Sequence, residues 1–314
     1  MPRVAAVDLG TNSSRLLVAD VEGDRLDEVV RLLTITRLGE GVDKRRRLLP
    51  LPITRVRNCL TEYRRELERR GVTQTLAIAT SAVRDAENGE AFLGEIEWSY
   101  GFTTQLLSGM EEAAMMIRGV TAGRSPLDDV LVVDIGGGST ELVVAADGEV
   151  ASATSLDIGC VRVTERFLGS DPPSRPELAA ASAYVRSLLP PLEAGSAIGV
   201  AGTVTTLATL DLGDSSYDPA RTHAHRLSLD SVEDHLERLA AMTTQERLGV
   251  PGLEPGRAPV IIAGVVVLRE VMTSYGLSEI EVSERDILHG AAFAAAEVPE
   301  AEEGAAPPGA HTCC

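Results

Sequence analysis

The chain carries one sequence pattern twice, as VDLGTNSSRLLVA at residues 7–19 and as VDIGGGSTELVVA at residues 133–145. Each copy reads as a strand, a tight turn rich in glycine and serine with an aspartate at its mouth, and a second strand. A weaker pair of segments supports the repeat, because residues 78–82 follow the first copy at about the same distance as residues 200–204 follow the second. Two pairs of loops at similar offsets predict a duplication into two α/β lobes.

Amphipathic segments fill the rest of the two predicted lobes. Residues 53–70 place apolar side chains at helical spacing on one face, with arginines elsewhere. Residues 176–189 and 231–242 predict helices of the second lobe, and either Asp230 or Ser231 is the expected cap of the latter.

The domain boundaries are predicted from composition. Residues 1–122 form the predicted first lobe, residues 123–127 a linker with turn-forming residues, and residues 128–296 the second lobe. From about residue 297 onward, Ala, Glu, Pro and Gly dominate and cannot supply a core. Residues 297–314 are therefore predicted to be disordered.

The composition excludes several classes of protein. Among 314 residues, 47 acidic and 29 basic side chains give a formal charge of −18 at pH 7, and aromatic residues make up 3%. Such a chain offers neither a track for a phosphate backbone nor stacking platforms for bases, so we expect no nucleic-acid partner. A small anionic substrate would need local cations or a metal ion.

The apolar runs and the cysteines indicate a cytoplasmic protein. The longest apolar run, residues 260–268, is too short to cross a bilayer, and the first residues do not resemble a secretory signal, so we expect no membrane association. The four cysteines, which include the adjacent Cys313 and Cys314, have neither metal-ligand spacing nor a disulfide pattern. This usage is typical of a reducing compartment.

The repeated turn has the chemistry of a phosphate site. Glycine lets the backbone approach an anion closely, and successive N–H groups in such a turn form a concave anion site. Asp8 and Asp134, at the mouths of the turns, would repel phosphate unless a divalent cation lay between, and Mg²⁺ prefers hard oxygen ligands. The alternative is a pair of ordinary β-hairpins. The same aspartate at the same place in both copies favours the phosphate site.

Five motifs in a fixed order resemble a known family. They are Asp8-x-Gly10-x-Asn12-Ser13-x-Arg15, Ala79-Thr80-Ser81-Ala82-x-Arg84, Ser108-Gly109-x-Glu111-Glu112-Ala113, Asp134-x-Gly136-Gly137-Gly138-Ser139-Thr140-Glu141 and Gly199-x-Ala201-Gly202-Thr203. Over residues 3–295 the set resembles the Ppx/GppA phosphatases, which are exopolyphosphatases and guanosine pentaphosphate (pppGpp) phosphohydrolases of the sugar kinase, actin and heat-shock ATPase superfamily. The resemblance implies an α/β fold of two duplicated actin-like, ribonuclease H-like domains with an interdomain cleft.

The resemblance also implies roles for individual residues. Glu112 matches the carboxylate that activates the attacking water. Asp134 and Glu141 match metal-binding and water-positioning acids and Asp8 matches the acid of the first lobe, with Mg²⁺ or Mn²⁺ as the implied cofactor. The implied phosphate-binding residues are Gly10, Asn12, Ser13, Arg15, Ser81, Arg84, Gly136, Gly137, Gly138, Ser139, Gly202 and Thr203. These roles agree with the chemistry of phosphoryl transfer, which depends on positioning and charge neutralisation.

Some of these residues have a structural alternative. Glu111 and Glu112 could simply favour the dipole of a helix first turn. Arg84 could pair with Asp85 or Glu87 on the surface.

For three further features of the sequence, a role without chemistry is the expected one. A structural role is expected for Gly159 and Arg162, with a place for Arg162 near the cleft as the alternative. The basic run at residues 44–47 and the arginines of residues 55–70 read as a solvated face, with a polyphosphate grip as the alternative. His223 and His225 would face one side of a strand, but without further ligands nearby a hydrogen-bonded role is favoured over metal binding.

The expected function is hydrolysis of a terminal phosphoanhydride, with inorganic polyphosphate as the first substrate and pppGpp as the second. We expect a preference for short chains, because 47 acidic residues face 29 basic ones and the further helical domain of long family members is absent. Residues 282–290 differ from the corresponding family segment, so the chemistry is better supported than the substrate. Two different functions stay open, namely an ATPase or sugar kinase of the same superfamily and a non-catalytic polyphosphate or alarmone sensor. The sequence also leaves open whether the chain forms a homodimer.

Overall fold

The computed structural model describes residues 1–124, 127–147 and 149–298, which form two α/β units. The first unit is formed by two segments of the chain, residues 1–123 and the residues from 287 onward. The second unit comprises residues 124–286. Part of the predicted linker and residues 299–314 of the predicted tail lie outside the described residues.

The first unit is built on a mixed sheet in the order β3-β2-β1-β4-β5. Its strands are β1 (Arg3–Leu9), β2 (Ser13–Glu22), β3 (Arg25–Ile35), β4 (Gln74–Ala79) and β5 (Thr103–Leu106). β1 runs antiparallel to β2 and parallel to β4, β2 is antiparallel to β3, and β4 is parallel to β5. β1 is buried on both faces from Val4 to Leu9, as a central strand covered on two sides must be.

The second unit is built on a mixed sheet in the order β10-β11-β9-β6-β7-β8. Its strands are β6 (Val130–Ile135), β7 (Thr140–Ala146), β8 (Glu149–Leu156), β9 (Ser196–Val200), β10 (Arg226–Ser228) and β11 (Glu279–Val282). β6 runs antiparallel to β7 and parallel to β9, β7 is antiparallel to β8, and β11 is parallel to β9. β10 extends this sheet as an antiparallel edge strand.

The two sheets share one topology. The series β8-β7-β6-β9-β11 repeats β3-β2-β1-β4-β5 in both order and strand direction. The repeated sequence supplies the equivalent hairpins β1–β2 and β6–β7 at the centre of each sheet. The predicted α/β class and its internal duplication are therefore confirmed.

Helices complete both units. The first unit contains α1 (Val42–Arg45), α2 (Pro50–Arg70), α3 (Ser81–Arg84), α4 (Gly89–Tyr100) and α5 (Gly109–Thr121). The second contains α6 (Cys160–Phe167), α7 (Arg175–Leu188), α8 (Ala201–Asp211), α9 (Pro219–Thr222), α10 (Leu229–Ala240), α11 (Thr244–Arg247) and α12 (Ile261–Ser274), with a 3₁₀ turn at Pro255–Arg257. The last helix, α13 (Ile287–Glu297), belongs to the first unit. No helix of the described residues is long and apolar enough to cross a membrane.

Alternation along the central strands positions the cores. Val7 and Leu9 of β1 share a buried cluster with Val56 and Leu60 of α2. Because successive strand residues point to opposite faces, Asp8 leaves the sheet on the side away from this cluster. In the second unit the odd-numbered residues of β6 pack in an equivalent cluster with α8 and α12, so residue 134 leaves that sheet on the other side.

The predicted helices are present, with corrected ends. α2 begins at Pro50 rather than at residue 53, because proline is well suited to the first position of a helix. α7 begins and ends within one residue of its predicted bounds. α10 begins at Leu229, and its cap is Ser228, whose side chain accepts from the Ser231 amide at 3.1 Å. The prediction of Asp230 or Ser231 as the cap was wrong.

The position of α13 differs from the predicted second lobe, which ran to residue 296. α13 contacts α5, β1, β2 and β4, all of the first unit. A Cβ atom on Gly290 would lie 1.9 Å from the carbonyl oxygen of Met115, so the two helices touch at their backbones. Arg118 of α5 also pairs with Glu297 at the end of α13. Apart from His289 and Glu297, α13 is apolar, and this composition does not indicate which sheet the helix covers.

Candidate active site

The turn of the first unit places Asp8 and Arg15 side by side. The two residues lie directly opposite each other on β1 and β2, so their side chains leave the same face of the sheet. Arg15 Nε donates to Asp8 Oδ2 at 2.8 Å, and Arg15 Nη2 lies 2.7 Å from the same oxygen. A predicted metal acid thus orients a predicted phosphate-binding guanidinium through a charge-assisted pair.

The backbone of this turn is held from one side. Gly10 N donates to the Ser13 carbonyl at 3.0 Å, and the carbonyls of Thr11 and Asn12 accept from amides within residues 36–39 at distances from 2.8 to 3.1 Å. In a planar trans peptide the C=O and the following N–H point in opposite directions. The amides that follow these two carbonyls are therefore directed away from residues 36–39, as a concave anion site requires.

The side chain of Asn12 has an unusual environment. Asn12 is 6% exposed, and neither its Nδ2 nor its Oδ1 has a hydrogen-bond partner among the described residues. A buried polar group without a partner costs about 1–3 kcal/mol. An amide in this state at an anion-binding turn is suited to a ligand that supplies the missing partners, in agreement with the phosphate-binding role predicted for Asn12.

A hydrogen bond connects the turn to α3, and an ion pair connects α3 to α5. Thr11 Oγ1 lies 3.0 Å from the Oγ of Ser81, the buried first residue of α3. Arg84, the last residue of α3, donates to the Leu107 carbonyl at 2.6 Å and pairs with Glu112 on α5. The predicted base and one predicted phosphate-binding arginine are thereby brought together, which favours the role in the site over a pair on the surface.

The two neighbouring glutamates of α5 have different environments. Glu111 belongs to a capping box, because its Oε2 accepts from the Ser108 amide at 2.8 Å and its own amide donates to Ser108 Oγ at 3.3 Å. The hydrogen bonds that the carboxylate accepts from Ser108 lower the pKa of Glu111. Glu112 is 5% exposed and is paired with Arg84. The helix-start role therefore describes Glu111, and the role of Glu112 as the base stays a prediction.

The second unit has two acids where the first has an ion pair. Asp134 and Glu141 lie directly opposite each other on β6 and β7, at the positions equivalent to Asp8 and Arg15. Both are buried, and Ser155 Oγ donates to Glu141 Oε1 at 2.8 Å. Like charges directly opposite each other in a sheet are destabilising. Such a pair favours a cation at this position.

The carboxylates of Asp134 and Glu141 fit the predicted metal. They offer hard oxygen donors, which Mg²⁺ and Mn²⁺ prefer. Across the described residues no three His, Cys, Asp or Glu side chains form a group that could hold a metal ion. Mg²⁺ is commonly bound by one or two carboxylates and completes its shell with water and substrate phosphate. The acid pair therefore fits, and a metal contact of Asp8, which Arg15 already engages, stays a prediction.

The turn of the second unit repeats the geometry of the first. Gly136 N donates to the Ser139 carbonyl at 3.0 Å. The carbonyls of Gly136 and Gly137 accept from amides at the start of α6 at 2.9 and 2.8 Å, and the Gly138 carbonyl accepts from Arg162 Nε at 2.8 Å. In the part of the chain that is described, the amides of residues 137–139 donate to no protein acceptor. This arrangement agrees with the predicted concave anion site, and anion binding there stays a prediction.

Gly159 makes this arrangement possible. A Cβ atom at residue 159 would lie 2.3 Å from the carbonyl carbon of Gly137 and 2.5 Å from the amide of Gly138. Any side chain there would push the start of α6 away from the turn and break the hydrogen bonds that hold it. This contact agrees with the structural role expected for Gly159.

The first turn of α8 adds a third group of donors, with a cation that no sequence motif indicated. Gly202 and Thr203 lie in this turn, and the preceding Val200 offers no side-chain cap. The first amides of the helix are therefore available to a ligand. The guanidinium of Arg257 occupies the space that a side chain at residue 202 would take, since a Cβ atom there would lie 1.7 Å from Nη1. Arg257 lies in a 3₁₀ turn outside the five motifs, so the motifs did not indicate it. The only sequence signal is the glycine at residue 202, which is typical of a close contact with another group.

The predicted site residues are thus grouped within each unit. The first unit holds Asp8, Gly10, Asn12, Ser13, Arg15, Ser81, Arg84 and Glu112, and the second holds Asp134, Gly136, Gly137, Gly138, Ser139, Glu141, Gly202 and Thr203. Each group contains a predicted anion-binding turn that follows an aspartate, with a helix start in the same unit. Their catalytic, metal-binding and phosphate-binding roles stay predictions.

The arginines of α2 are engaged with glutamates. Arg55 pairs with Glu40, Arg57 with Glu95, Arg64 with Glu68, Arg65 with Glu62, and both Arg69 and Arg70 with Glu66. These pairs agree with the solvated face that was expected. By contrast, Lys44, Arg45 and Arg47 are exposed and have no ion pair within the described residues.

His223 and His225 are hydrogen-bonded, as favoured. They precede β10 rather than facing one side of a strand, which corrects that expectation. His223 Nδ1 accepts from the Glu284 amide at 3.2 Å, and His225 Nε2 lies 2.7 Å from Asp211 Oδ2.

The free cysteines Cys59 and Cys160 are buried, and burial raises the pKa of Cys160 to about 11.

Comparison with known proteins identifies similar chains over nearly the whole length. The model of the Ppx/GppA phosphatase family matches residues 17–297. A protein named exopolyphosphatase 2 from Mycobacterium tuberculosis is 39% identical over 317 residues, which cover 94% of this chain and 99% of that protein.

Solved structures show the same fold. The crystal structure of a Ppx/GppA family member from Aquifex aeolicus has a TM-score of 0.78 and 29% identity, covering 95% of this chain and 97% of the other. The crystal structure of an exopolyphosphatase from Cytophaga hutchinsonii has a TM-score of 0.84 and 26% identity, covering 92% of this chain and 96% of the other. The similarity extends over both units of the present structure.

Proposed function

This chain belongs to the Ppx/GppA phosphatase family, and we propose that it is an exopolyphosphatase that releases the terminal phosphate of inorganic polyphosphate by attack of water. The observation that carries the proposal is the environment of Glu112. This carboxylate is buried, paired with Arg84, and distinct from the neighbouring Glu111, which serves as a helix cap. A buried carboxylate next to a phosphate-binding arginine is suited to act as a general base on a water molecule.

The proposed reaction is a displacement at the terminal phosphorus. The water oxygen forms a bond to this phosphorus while its proton passes to Glu112. The bond from phosphorus to the bridging oxygen breaks, and the electron pair leaves with the shortened chain. The products are orthophosphate and a polyphosphate that is one unit shorter. Because the transition state carries charge on the terminal oxygens, groups that neutralise this charge supply most of the rate enhancement.

The surrounding residues are assigned to binding and orientation. The amides of the two turns and of the first turn of α8 would donate to phosphate oxygens, and Arg15 and Arg84 would each contribute a guanidinium. Asp134 and Glu141 would hold Mg²⁺ or Mn²⁺, which when bound neutralises phosphate charge in a protein whose own charge is −18. Glu141, which accepts from Ser155, would also help to orient water.

We further propose that short chains are preferred and that cutting is distributive. The supporting observation is that all six arginines of residues 55–70 are engaged with glutamates, so α2 offers no continuous basic track. A long polyanion would have to bind through exposed cations whose effect is screened by salt.

A phosphate-release assay over several substrates tests the proposal. The panel contains tripolyphosphate, polyphosphates of increasing length, pppGpp and ATP, each with Mg²⁺ and with a Glu112→Gln control. The highest kcat/KM is expected with short polyphosphates. A much higher kcat/KM with pppGpp would move the assignment to the pppGpp phosphohydrolase alternative. Saturable phosphate binding without turnover of any substrate would favour a sensor instead.

A further inference from the structure

The turn at residues 136–139 depends on one side chain for the orientation of its last amide. Two of its carbonyls are held by main-chain amides of α6, but the third, that of Gly138, accepts from Arg162 Nε at 2.8 Å. Because the C=O of Gly138 and the N–H of Ser139 belong to one planar peptide, this bond also fixes the direction of the Ser139 amide. Arg162 therefore controls an amide that points towards the anion side of the turn.

The first unit shows that the arrangement is not a general requirement of the fold. The carbonyl equivalent to that of Gly138 is that of Asn12, and it accepts from two main-chain amides, those of Thr36 and Arg37, at 3.1 and 2.9 Å. No side chain is needed there. A change at residue 162 would therefore loosen the second turn without affecting the first.

Arg162 also brings positive charge to the back of the turn. The residue is 7% exposed, and its Nη2 lies 3.6 Å from a carboxylate oxygen of Asp157, whose side chain is mostly in solvent. A guanidinium buried in this way is poorly screened by water, so it adds to the attraction that the turn amides exert on an anion. Arginine retains its charge in such a place, because its guanidinium is effectively never deprotonated.

We propose that Arg162 is a positioning residue that sets how tightly the turn at residues 136–139 holds a phosphate oxyanion. It acts through the Gly138 carbonyl and through its buried charge, without touching the substrate. The inference rests on the proposed function, in which this turn binds a phosphate group of the substrate. From the sequence alone, a structural role was expected for this arginine, with a place near the cleft as the alternative.

A second buried arginine in the same unit supplies a matched control. Arg247 is 2% exposed and donates to the carbonyls of Ala258 and Leu239 at 2.9 and 3.2 Å. Both arginines thus pack inside the second unit and hold backbone carbonyls. The carbonyls that Arg247 holds lie outside the turn at residues 136–139, so its loss should lower stability without changing the direction of the Ser139 amide.

The test compares Arg162→Gln, Arg162→Lys and Arg247→Gln in the full chain. Binding of inorganic phosphate in the presence of Mg²⁺ is measured by calorimetry, and kcat and KM are measured with tripolyphosphate. For Arg162→Gln we expect the phosphate Kd and the KM to rise about tenfold or more, with a smaller change in kcat, because a hydrogen bond to a charged group is lost. Arg247→Gln should lower the melting temperature and leave the phosphate Kd within about twofold of the wild-type value.

The outcomes separate this inference from the proposed function. An unchanged phosphate Kd in folded Arg162→Gln, or an equal loss in Arg247→Gln, would overturn the role of Arg162. Arg162→Lys keeps the charge but not the guanidinium geometry, so if the glutamine variant does not fold, an unchanged Kd in the lysine variant would overturn the part of the role that acts through the Gly138 carbonyl. If the wild-type chain bound phosphate but cut no polyphosphate, the proposed function would fail, and a selective loss in Arg162→Gln would still support the positioning role.

Discussion

Glu112 on α5 is ion-paired with Arg84 at the end of α3, 28 residues earlier in the chain. Arg84 also donates to the Leu107 carbonyl, just before α5 begins, so the guanidinium is held at two points. The adjacent Glu111 takes no part in this pair, because its carboxylate accepts from Ser108 at the helix start. The pair fixes a carboxylate beside a group that is suited to bind phosphate.

Replacement of Glu112 by glutamine should separate chemistry from binding. Glutamine keeps the size of the side chain but cannot accept a proton from water, so we expect kcat to fall by about 10² or more while KM stays within a few-fold. Glu111→Gln is the matched control, because it removes a charge one residue away and should cost only about 0.5–1 kcal/mol of stability through the helix cap. Steady-state kinetics of both variants on tripolyphosphate provide the measurement. Equal and mild effects would show that Glu112 is not the base.

Activity should require a divalent cation. Asp134 and Glu141 lie opposite each other with like charge, and the substrate is itself a polyanion, so the three negative groups need cationic compensation. We expect excess EDTA to abolish phosphate release and added Mg²⁺ or Mn²⁺ to restore it. Asp134→Asn should weaken the activation by Mg²⁺ in a titration, whereas the pair Asp20–Arg3, which lies on the surface, provides Asp20→Asn as a control. Full turnover in excess EDTA would refute the metal requirement.

Asn12 should show a trade between stability and function. Its buried amide has no hydrogen-bond partner among the described residues, so its removal relieves a desolvation cost of roughly 1–3 kcal/mol. The van der Waals contacts that the side chain loses offset part of this gain. We expect Asn12→Ala to have an unchanged or slightly higher free energy of unfolding in urea. The same variant should lose at least about tenfold in kcat/KM on tripolyphosphate if the amide binds a phosphate oxygen. A variant that is destabilised but fully active would contradict both parts of the prediction.

The local pattern of the sequence was enough for the elements that repeat. The aspartates, the glycine and serine turns and the strand–turn–strand hairpins could be predicted, because each depends on residues within a short stretch and occurs twice. The helix face of α2 was equally readable, since its apolar spacing is local. These features fix the position of most of the candidate site.

Contacts between distant segments could not be predicted in the same way. Arg257 approaches Gly202 from a 3₁₀ turn more than fifty residues later, and nothing in its own surroundings marks it. The apolar helix α13 would fit either sheet by composition, and it is the close approach of Gly290 to Met115 that joins it to the first unit. The cap of α10 was missed because several polar residues stand close together and the choice among them depends on where the backbone turns.

Stability should fall as the pH is lowered below neutrality, in part because of His223. Burial, and then the charge of Arg285, lower the pKa of His223 below its usual value of about 6.5. As the pH falls, the unfolded chain therefore takes up the proton before the folded chain does. The contribution of neutral His223 to the free energy of unfolding is complete above about pH 6.5, and it is lost as the pH falls through the lower pKa of the folded state. Protonation of Nδ1 also removes the acceptor that the Glu284 amide uses.

His223→Asn isolates this contribution. The asparagine Oδ1 can accept from the same amide but does not titrate, so the variant should lose less stability than the wild type between about pH 7.5 and about pH 5.5. Urea unfolding at several pH values measures the slope. Part of the slope should remain, because burial and Arg238 also lower the pKa of His235. An identical slope in both proteins would remove His223 from the explanation.

Polyphosphate chains should be shortened distributively. An extended basic track is needed to hold a long polyanion through many cuts, and the arginines of α2 cannot supply one because each is engaged with a glutamate. On a gel we therefore expect a population of long chains that shortens gradually. If full-length chains persisted beside free phosphate, cutting would be processive. The exposed run at residues 44–47 would then be the candidate track, since three of its four cations have no ion pair within the described residues. Alanine replacement of Arg45, Arg46 and Arg47 should in that case abolish the processive pattern, and the same replacement of Arg64, Arg65 and Arg69, which are exposed but paired, should leave it intact.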